Sequence, residues 1–361
     1  MLERPVIDYA SRLRNVRASL GRKGIDGFLV TDLNNIRYLT GFLGSSALLL
    51  IARKESFFLT DFRYKEQSER QVKGWEIVIA KRNLIRTIRD IFKMTGIRRV
   101  GFESSVAYDF FEKLSHQGLS LKAFEGFVEK IRKIKDAVEI NLISEAVRRA
   151  ESAFFEVKPH IKRGVMERAI ALRLEESLKK NGCRRIPFDI IVVSGSNSAM
   201  PHANPTEKRL SSGDLVVIDW GGEADGYFSD ITRTLLMNGN NVSRKKSVYQ
   251  IVLKANKMAI SQVMPGVRSE DVDLSAREVI KKKGYGEFFG HGTGHGVGLQ
   301  VHESPRITWN KGEIIKEGMV FTIEPGIYVP GVGGVRIEDM VMVIRNGHKV
   351  LTRLHKELEI I

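Results

Sequence analysis

Residues 216–232 have the sequence VVIDWGGEADGYFSDIT, in which two apolar runs flank a turn rich in glycine and acidic residues. This pattern is typical of a β-hairpin. If the turn is centred immediately before Asp225, the carboxylates of Asp219 and Asp230 lie directly opposite each other. If Asp225 and Gly226 are themselves the turn, the two acids form a diagonal pair on one face, because side chains alternate with period two. Either arrangement puts two repelling carboxylates on an apolar face, which is favourable only if a cation lies between them.

A second hairpin pattern follows in residues 321–338, FTIEPGIYVPGVGGVRIE. A hairpin centred on Gly331 would place Glu324 opposite Glu338. An isolated acid on a strand is usually capped or paired with a base, but two hairpins that each deliver two acids are hard to explain by packing. We therefore predict that four carboxylates converge on one site.

Three histidines lie within twelve positions of a glycine-rich segment, GHGTGHGVGLQVHE, at residues 290–303. Its alternating glycines would let backbone and imidazole approach an ion closely. The segment is not a phosphate-binding loop, because it lacks the P-loop lysine and the strand–loop–helix context. It is not a zincin motif either, since no second histidine follows His302 at the required spacing.

Four carboxylates and an imidazole form a ligand set rich in oxygen, which suits Mn²⁺, Co²⁺, Fe²⁺ or Zn²⁺. Four carboxylates are enough to hold two ions by bridging. Two ions about 3.5–4 Å apart would activate a shared water and polarise a carbonyl group. The combination therefore predicts a hydrolase centre.

The chain has 361 residues, of which 42% are hydrophobic and 28% charged, as is typical of a folded protein. Its net charge is +15, but the basic residues are spread along the chain beside acidic ones. We therefore do not expect nucleic-acid binding as the main role. The only cysteine, Cys183, cannot form an internal disulfide, which favours a reducing compartment. The charged amino terminus lacks the apolar core of a signal peptide, so we expect a cytoplasmic protein with no membrane partner.

The first third of the chain alternates helical and strand patterns, which predicts an α/β domain. Helical spacing covers residues 10–23 and 62–71, and strand patterns cover residues 26–31, 47–52, 56–60 and 76–80. A long charged amphipathic stretch, Phe127–Lys158, predicts a boundary between a domain of residues 1–126 and one of residues 127–361. The second domain has helices followed by hairpins, and this order occurs twice. It therefore has an α+β plan with a weak internal repeat.

The Asp-x10-Asp spacing, the histidine of HGTGHGVG, and the motifs EPGIY and GVRIED resemble the pita-bread metallopeptidases, a family that contains aminopeptidase P, prolidase and methionine aminopeptidase. The segments DGFLV (26–30), NIRYLTGF (35–42) and LTDFRY (59–64) resemble the creatinase/prolidase amino-terminal domain. Methionine aminopeptidase lacks that domain and creatinase lacks the metal ligands, so both are disfavoured. The resemblance covers nearly the whole chain. It implies a creatinase/prolidase-type α/β domain followed by an α+β pita-bread catalytic domain with a pseudo-twofold repeat.

The resemblance also implies which residues bind metal. Asp219 would bind one ion, and His295 and Glu324 would bind the other. Asp230 and Glu338 would bridge both ions. Glu324 is also the expected general base, which takes a proton from the bridging water.

Five further residues match positions around the family's substrate. His202 matches a histidine on the substrate side, and His302 matches the histidine that hydrogen-bonds the tetrahedral intermediate. His291 and Tyr328 match pocket residues. Arg336 matches an arginine that holds the ligand carboxylates from behind.

These assignments imply a dinuclear peptidase that cleaves the Xaa-Pro bond at the amino end of short peptides with proline in second position. Mn²⁺ is the expected metal, with Co²⁺, Fe²⁺ and Zn²⁺ as alternatives. An Xaa-Pro bond is a tertiary amide without an N–H, so enzymes that hydrogen-bond that N–H cleave it poorly. Two forms remain open: an aminopeptidase of the aminopeptidase P type, which we favour slightly, and an Xaa-Pro dipeptidase (prolidase). They differ in whether a cation receives the free carboxylate beyond proline.

A hypothesis of another class is an inactive pita-bread protein that acts as a binding module, for example for RNA. Such a protein would be expected to have lost metal ligands, and none of the five is missing here. The resemblance further implies a homodimer.

Overall fold

The structure is a computed structural model that describes residues 7–81, 83–116, 118–310 and 312–361. It divides into two compact units, the first ending at Arg132 and the second beginning at Lys133. The domain boundary between residues 126 and 127 stays a prediction. Among the described helices, none has the length and apolar character that crossing a membrane requires.

The first unit contains a six-stranded mixed sheet with strand order β4-β3-β2-β1-β5-β6. Its strands are β1 Gly27–Val30, β2 Leu48–Ala52, β3 Ser56–Thr60, β4 Glu76–Ile79, β5 Arg99–Glu103 and β6 Ser120–Phe124. Its helices are α1 Tyr9–Arg22, α2 Leu33–Thr40, α3 Lys65–Gln71, α4 Leu84–Thr95, α5 Tyr108–Ser115 and α6 Glu129–Arg132. The four strands predicted from the sequence are β1 to β4.

Burial and capping explain these elements. Every residue of β1, β2 and β3 is buried, which is why their sequences are nearly continuous apolar runs without strict alternation. The side chain of Asp32 caps α2 by accepting hydrogen bonds from the backbone N–H groups of Asn34 and Asn35. Gly41, at a φ of 75°, ends the same helix in the left-handed conformation.

The second unit has two long helices followed by strands, and then repeats that order. Its helices are α7 Ala137–Val157, α8 Glu167–Lys180, α9 Ser243–Ser261 and α10 Ser269–Lys282. The strands before α9 are β7 Ile191–Ser194, β8 Leu215–Trp220, β9 Glu223–Ala224, β10 Tyr227–Phe228 and β11 Ile231–Leu236. Those after α10 are β12 Gly294–Gly296, β13 Glu303–Ile307, β14 Val320–Ile323, β15 Gly326–Val329, β16 Gly333–Arg336, β17 Asp339–Ile344, β18 Gly347–Val350 and β19 Glu359–Ile360.

Two sheets dominate this unit. One has the order β19-β11-β8-β7, and the other has the order β13-β12-β14-β17-β18. The amphipathic stretch predicted at residues 127–158 is interrupted, because Asp136 forms a capping box with Glu139 and starts α7 anew. A large apolar core involves α9, α10 and the strands that follow them.

The first hairpin adopts the diagonal arrangement. In the pairing of β8 with β11, Asp219 faces Thr232, so Asp230 is its diagonal neighbour on the same face. Asp225 and Gly226 are the turn, and both have positive φ, of 43° and 81°. This is the pattern of a type I′ turn, which matches the twist of the flanking strands.

The second hairpin is centred on Gly331, as predicted, and its register runs through two strand pairs. Val329 pairs with Gly333 at the tip, and Gly326 pairs with Arg336. The same register continues where Ile323 of β14 pairs with Asp339 of β17. Glu324 and Glu338 lie between these two pairs, at positions that the continuous register places opposite each other.

The turn of the first hairpin gives a testable prediction. Gly226→Ala should lower the free energy of unfolding by about 1–2 kcal/mol, because a Cβ atom is strained at positive φ. Urea unfolding followed by circular dichroism would measure the change. Gly286→Ala is the control, since Gly286 lies outside the left-handed region and the nearest atom to an added Cβ would be Cγ of Lys281, at 3.4 Å. Equal shifts in both variants would contradict the assigned turn.

Candidate metal centre

A cavity of about 490 Å³ lies in the second unit, and the predicted site residues converge on it. All of them except Tyr328 line its wall: Asp219, Asp230, His295, Glu324, Glu338, His202, His291, His302 and Arg336. Further lining residues that the sequence patterns did not single out include Phe188, Asp189, Ile191, Pro201, Asn204, Arg306 and Thr308.

The acids and histidines form three overlapping groups that could hold a metal ion. Within each group the ligand atoms lie within 4.8 Å of one another. The groups are Asp219 with Asp230 and Glu338, His295 with Glu324 and Glu338, and Asp230 with His295 and His302. Asp230, Glu338 and His295 each belong to two groups. Of these three, Asp230 and Glu338 have two carboxylate oxygens each, so they are placed to be shared between neighbouring ions.

Burial makes this cluster of acids unfavourable without a counter-charge. Asp230 is 5% exposed and Glu338 is 1% exposed. Burial raises the pKa of both carboxyl groups well above the usual range, and the charges of neighbouring acids raise it further. Burial also raises the pKa of Asp219, although the Arg336 guanidinium opposes the rise. In the absence of a cation, these acids therefore retain protons at a pH where surface acids are ionised.

Glu324 differs from the other three acids because it contacts an imidazole. Its Oε1 lies 3.3 Å from Nε2 of His295, and it also accepts a hydrogen bond from Oγ1 of Thr322 at 3.1 Å. Burial alone would raise the pKa of Glu324, but the hydrogen bond and charge of His295 outweigh it and lower the pKa to about 2. Glu324 is therefore a carboxylate at neutral pH.

Arg336 ties the two hairpins together. Its Nη2 donates to Oδ2 of Asp219 at 2.6 Å, and its Nε donates to Oγ1 of Thr232 at 3.1 Å. Thr232 in turn donates to Oε2 of Glu338 at 2.7 Å. One guanidinium and one hydroxyl thus orient an acid from each hairpin, in the manner of the supporting groups found behind metal ligands.

A second set of contacts fixes the backbone that carries the acids. The buried side chain of Asn256 on α9 donates to the carbonyl oxygens of Ile323 and Ile337, at 3.1 and 3.2 Å. Each of these residues immediately precedes an acid, Glu324 or Glu338. Because one amide holds both carbonyls, the separation of the two acids is set by the backbone.

The segment before His295 is held from α10. Asp273, which is 0% exposed, accepts hydrogen bonds from both N and Oγ1 of Thr293. The carbonyl of Thr293 accepts from the backbone N–H of Glu324 at 2.7 Å. A Cβ on Gly294 would lie 1.9 Å from the carbonyl oxygen of Thr322, so glycine here permits close strand packing. This use of glycine differs from the approach to an ion that the sequence suggested.

The remaining histidines surround the acids. The ring of His302 lies 4.3 Å from that of His295, and burial together with the His295 charge lowers the pKa of His302 to about 4. His291 contacts Tyr328, whose hydroxyl lies 2.9 Å from Nε2 of His291 and accepts from Nη1 of Arg336 at 2.9 Å. Tyr328 therefore lies behind the cavity wall and links His291 to Arg336. His202 lines the same cavity, together with its neighbours Pro201 and Asn204.

Sequence reasoning missed several supporting residues. Thr232 and Thr322 were visible in principle, because each lies two positions from an acid and therefore on the same face of its strand. Asn256 and Asp273 lie on helices, and no pattern connects them to acids far along the chain. Arg306 follows His302 closely but belongs to a strand, β13, that the sequence did not reveal.

The donor set fits divalent cations. Oδ1 of Asp219 and Oε1 of Glu338 are buried, and within the described residues neither has a hydrogen-bond partner. Nε2 of His295 lies 3.6 Å from Oδ2 of Asp230 and is directed at the same cluster. Buried oxygens without partners, next to an imidazole and further carboxylates, are the ligands that transition-metal ions use.

Comparison with known proteins gives consistent results. The model of metallopeptidase family M24 matches residues 141–345, and that of the creatinase/prolidase N-terminal domain matches residues 12–134. A Bacillus subtilis (strain 168) protein named as uncharacterized peptidase YqhT is 41% identical over 353 residues, which are 97% of this chain and 100% of the relative.

Two solved structures resemble the whole chain. The Xaa-Pro dipeptidase from Bacillus anthracis has a TM-score of 0.95 at 38% identity, with 98% of this chain and 100% of that chain covered. The X-Pro aminopeptidase from Thermotoga maritima MSB8 has a TM-score of 0.88 at 34% identity, with 97% and 99% covered. Family and fold agree with the resemblance seen in the sequence: the chain belongs to metallopeptidase family M24, and its catalytic domain follows a creatinase/prolidase amino-terminal domain in the sequence.

Proposed function

We propose that the chain is a dinuclear metal-dependent peptidase that hydrolyses the Xaa-Pro bond at the amino end of short peptides. The observation that carries the proposal is the buried cluster of four carboxylates and one imidazole in a single cavity, with two carboxylate oxygens left without a partner. Two similar solved structures, one an Xaa-Pro dipeptidase and one an X-Pro aminopeptidase, support the choice of substrate.

Five side chains would hold the metal. Asp219 would bind one ion, His295 and Glu324 the other, and Asp230 and Glu338 both. Mn²⁺ is the proposed metal, because a set with four carboxylates and one imidazole is rich in hard oxygen ligands. Two bound ions would supply a Lewis acid for the scissile carbonyl and would lower the pKa of a water molecule.

Glu324 would transfer the proton of the attacking water, and the histidines would hydrogen-bond the substrate. Since its pKa is lowered to about 2, Glu324 is ionised at neutral pH and can accept a proton from the attacking water, then deliver it to the proline nitrogen. His302 is neutral at the same pH because its pKa is lowered to about 4, and its ring N–H can donate to the developing oxyanion. His202, which also lines the cavity, would support the substrate.

Arg306 is an observation in favour of the dipeptidase form. It lines the cavity and is the direct cross-strand partner of His295, so the two side chains share one face of the sheet. In the described part of the chain, no ion pair or hydrogen bond occupies its guanidinium. A guanidinium in this position can receive the free carboxylate of a proline that ends the substrate. We therefore propose dipeptides as the preferred substrates.

The proposed base can be tested by substitution. Glu324→Gln should reduce kcat for Ala-Pro at least about 100-fold, because the amide neither accepts the proton nor carries the charge. Steady-state release of proline by metal-reconstituted protein measures the effect. Glu317→Gln, a change of the same type at an exposed position, should retain wild-type activity. Near-normal turnover by the Glu324 variant would refute the assigned role.

Metal binding should stabilise the protein more as the pH rises. The pKa values of Asp230 and Glu338 are raised in the metal-free fold. Protonated carboxyls therefore stabilise that fold at low pH, and this stabilisation is lost as the pH rises toward the raised pKa values. A cation replaces the missing protons. The increase in Tm caused by Mn²⁺ should be small near about pH 5 and large near about pH 8.

A variant provides the control for this pH dependence. Glu338→Gln removes one charge and puts an amide N–H₂ beside the other acids, so it should raise the Tm of chelator-treated protein at high pH. It should also abolish most of the increase caused by Mn²⁺. A metal-induced shift that is independent of pH, or unchanged in the variant, would contradict the charge-compensation argument.

Two substrates, one with and one without a free carboxylate, can distinguish a direct contact of Arg306 with the substrate from a loss of activity caused by disturbed structure. Arg306→Gln should raise KM for Ala-Pro about tenfold, the loss expected for one charge-assisted contact, and Arg306→Lys should give an intermediate value. The variants should leave hydrolysis of Ala-Pro amide unchanged, because that substrate has no carboxylate. Equal losses on acid and amide would argue against the contact. Wild-type preference for Ala-Pro-Ala over Ala-Pro would favour the aminopeptidase form.

Two further expectations remain proposals. The homodimer implied by the family resemblance can be measured by light scattering. The inactive binding module would contain no stoichiometric transition metal, so metal analysis of purified protein distinguishes it from the peptidase.

A further inference from the structure

Glu167 is a fully buried acid that the proposed chemistry does not use. It lies in the first turn of α8 and is 0% exposed. It does not line the cavity. Its carboxylate nevertheless accepts hydrogen bonds from Ser194, Asn197 and Thr206, which belong to one loop and its ends. These contacts suggest that Glu167 acts on the position of that loop.

The contacts of Glu167 lie at both ends of that loop. Oε1 accepts from the backbone N and the Oγ of Ser194, each at 2.7 Å. Oε2 accepts from the backbone N of Thr206 at 3.0 Å and from its Oγ1 at 2.6 Å. The amide nitrogen of Asn197 lies 3.2–3.3 Å from the two oxygens. Every partner donates, which suits an ionised carboxylate that can only accept.

The loop between these anchor points carries His202. It starts where β7 ends, at Ser194, and returns at Thr206. Pro201, His202 and Asn204, all within it, line the cavity. Glu167 therefore closes the base of the loop whose tip faces the metal centre.

The loop also forms hydrogen bonds with the second hairpin, which carries Arg336. The carbonyl of Pro201 accepts from Nη1 of Arg336 at 3.2 Å, and Oγ of Ser198 accepts from the backbone N of Gly334 at 2.8 Å. These contacts attach the loop to the second hairpin.

At the base of the loop, the Glu167 carboxylate contacts both ends, Ser194 and Thr206. Other contacts each hold one end: Nζ of Lys208 donates to Oγ of Ser194 at 2.8 Å, and the backbone N–H of Arg168 donates to the carbonyl of Thr206 at 3.0 Å.

We propose that Glu167 is a positioning residue for substrate binding, which holds His202 at the cavity by fixing both ends of its loop. This inference deepens the proposed function and rests on it. Glutamine cannot replace this carboxylate, because its NH₂ group would face either the N–H of Ser194 or that of Thr206. One end of the loop would then lose its acceptor, while the metal-binding side chains would keep their contacts.

The first experiment measures kinetics and metal affinity together. Glu167→Gln should raise KM and lower kcat/KM for Ala-Pro about tenfold, with an unchanged Mn²⁺ dissociation constant. Thr206→Val removes one donor at nearly constant volume and should show a smaller loss of the same kind. This second variant keeps the inference testable if the first one does not fold.

A matched control separates positioning from stability. Glu151 is a buried acid of the same unit, 7% exposed, which accepts from the backbone N–H groups of Arg353 and Leu354 and does not line the cavity. Glu151→Gln should lower Tm without changing kcat/KM. A purely structural role of Glu167 predicts the same behaviour for its own variant.

The deciding experiment combines variants. In a His202→Ala background, Glu167→Gln should cause no further loss of kcat/KM, because the residue that it positions is absent. Full additivity of the two substitutions would overturn the inference, as would wild-type kinetics in folded, metal-loaded Glu167→Gln and Thr206→Val. If the wild-type protein fails to cleave any Xaa-Pro peptide, the proposed function fails, and that outcome is distinguishable because it does not involve the variants.

Discussion

The mutual repulsion of four carboxylates in one buried cavity is the constraint around which the second unit is arranged. Two hairpins bring the acids together by strand register, so their separation is set by the backbone and not by flexible side chains. Bringing like charges together costs free energy that only cations or protons can offset. The site therefore favours bound divalent ions even before a substrate is present.

The surrounding contacts explain how such a cluster stays in place. Arg336 and Thr232 orient one acid from each hairpin. Asn256 holds the two carbonyls that precede Glu324 and Glu338. Asp273 fixes the segment before His295 from a different helix. All of these groups lie on regular elements, where packing limits motion, and this is the arrangement that a precise metal site requires.

Much of this site could be predicted from the sequence, because its acids alternate on strands and its turns have recognisable glycines. The register of the second hairpin followed from the position of Gly331, and the first hairpin was limited to two registers. The interruption between α6 and α7, and the strands β5, β6 and β13, were not predicted. The supporting residues Asn256, Asp273 and Glu167 were invisible for a physical reason: each acts across a long stretch of chain, where no periodic pattern connects the partners.

The two-residue turn at Asp225 and Gly226 also limits how the chain can vary. Strand side chains point to alternate faces, so inserting or deleting a single residue between Asp219 and Asp230 would rotate one acid out of the cavity. A longer surface loop usually absorbs such changes at little cost in free energy. Here the length of a two-residue turn is coupled to the composition of the metal centre, because a one-residue change that shifts the strand pairing moves a ligand without replacing it.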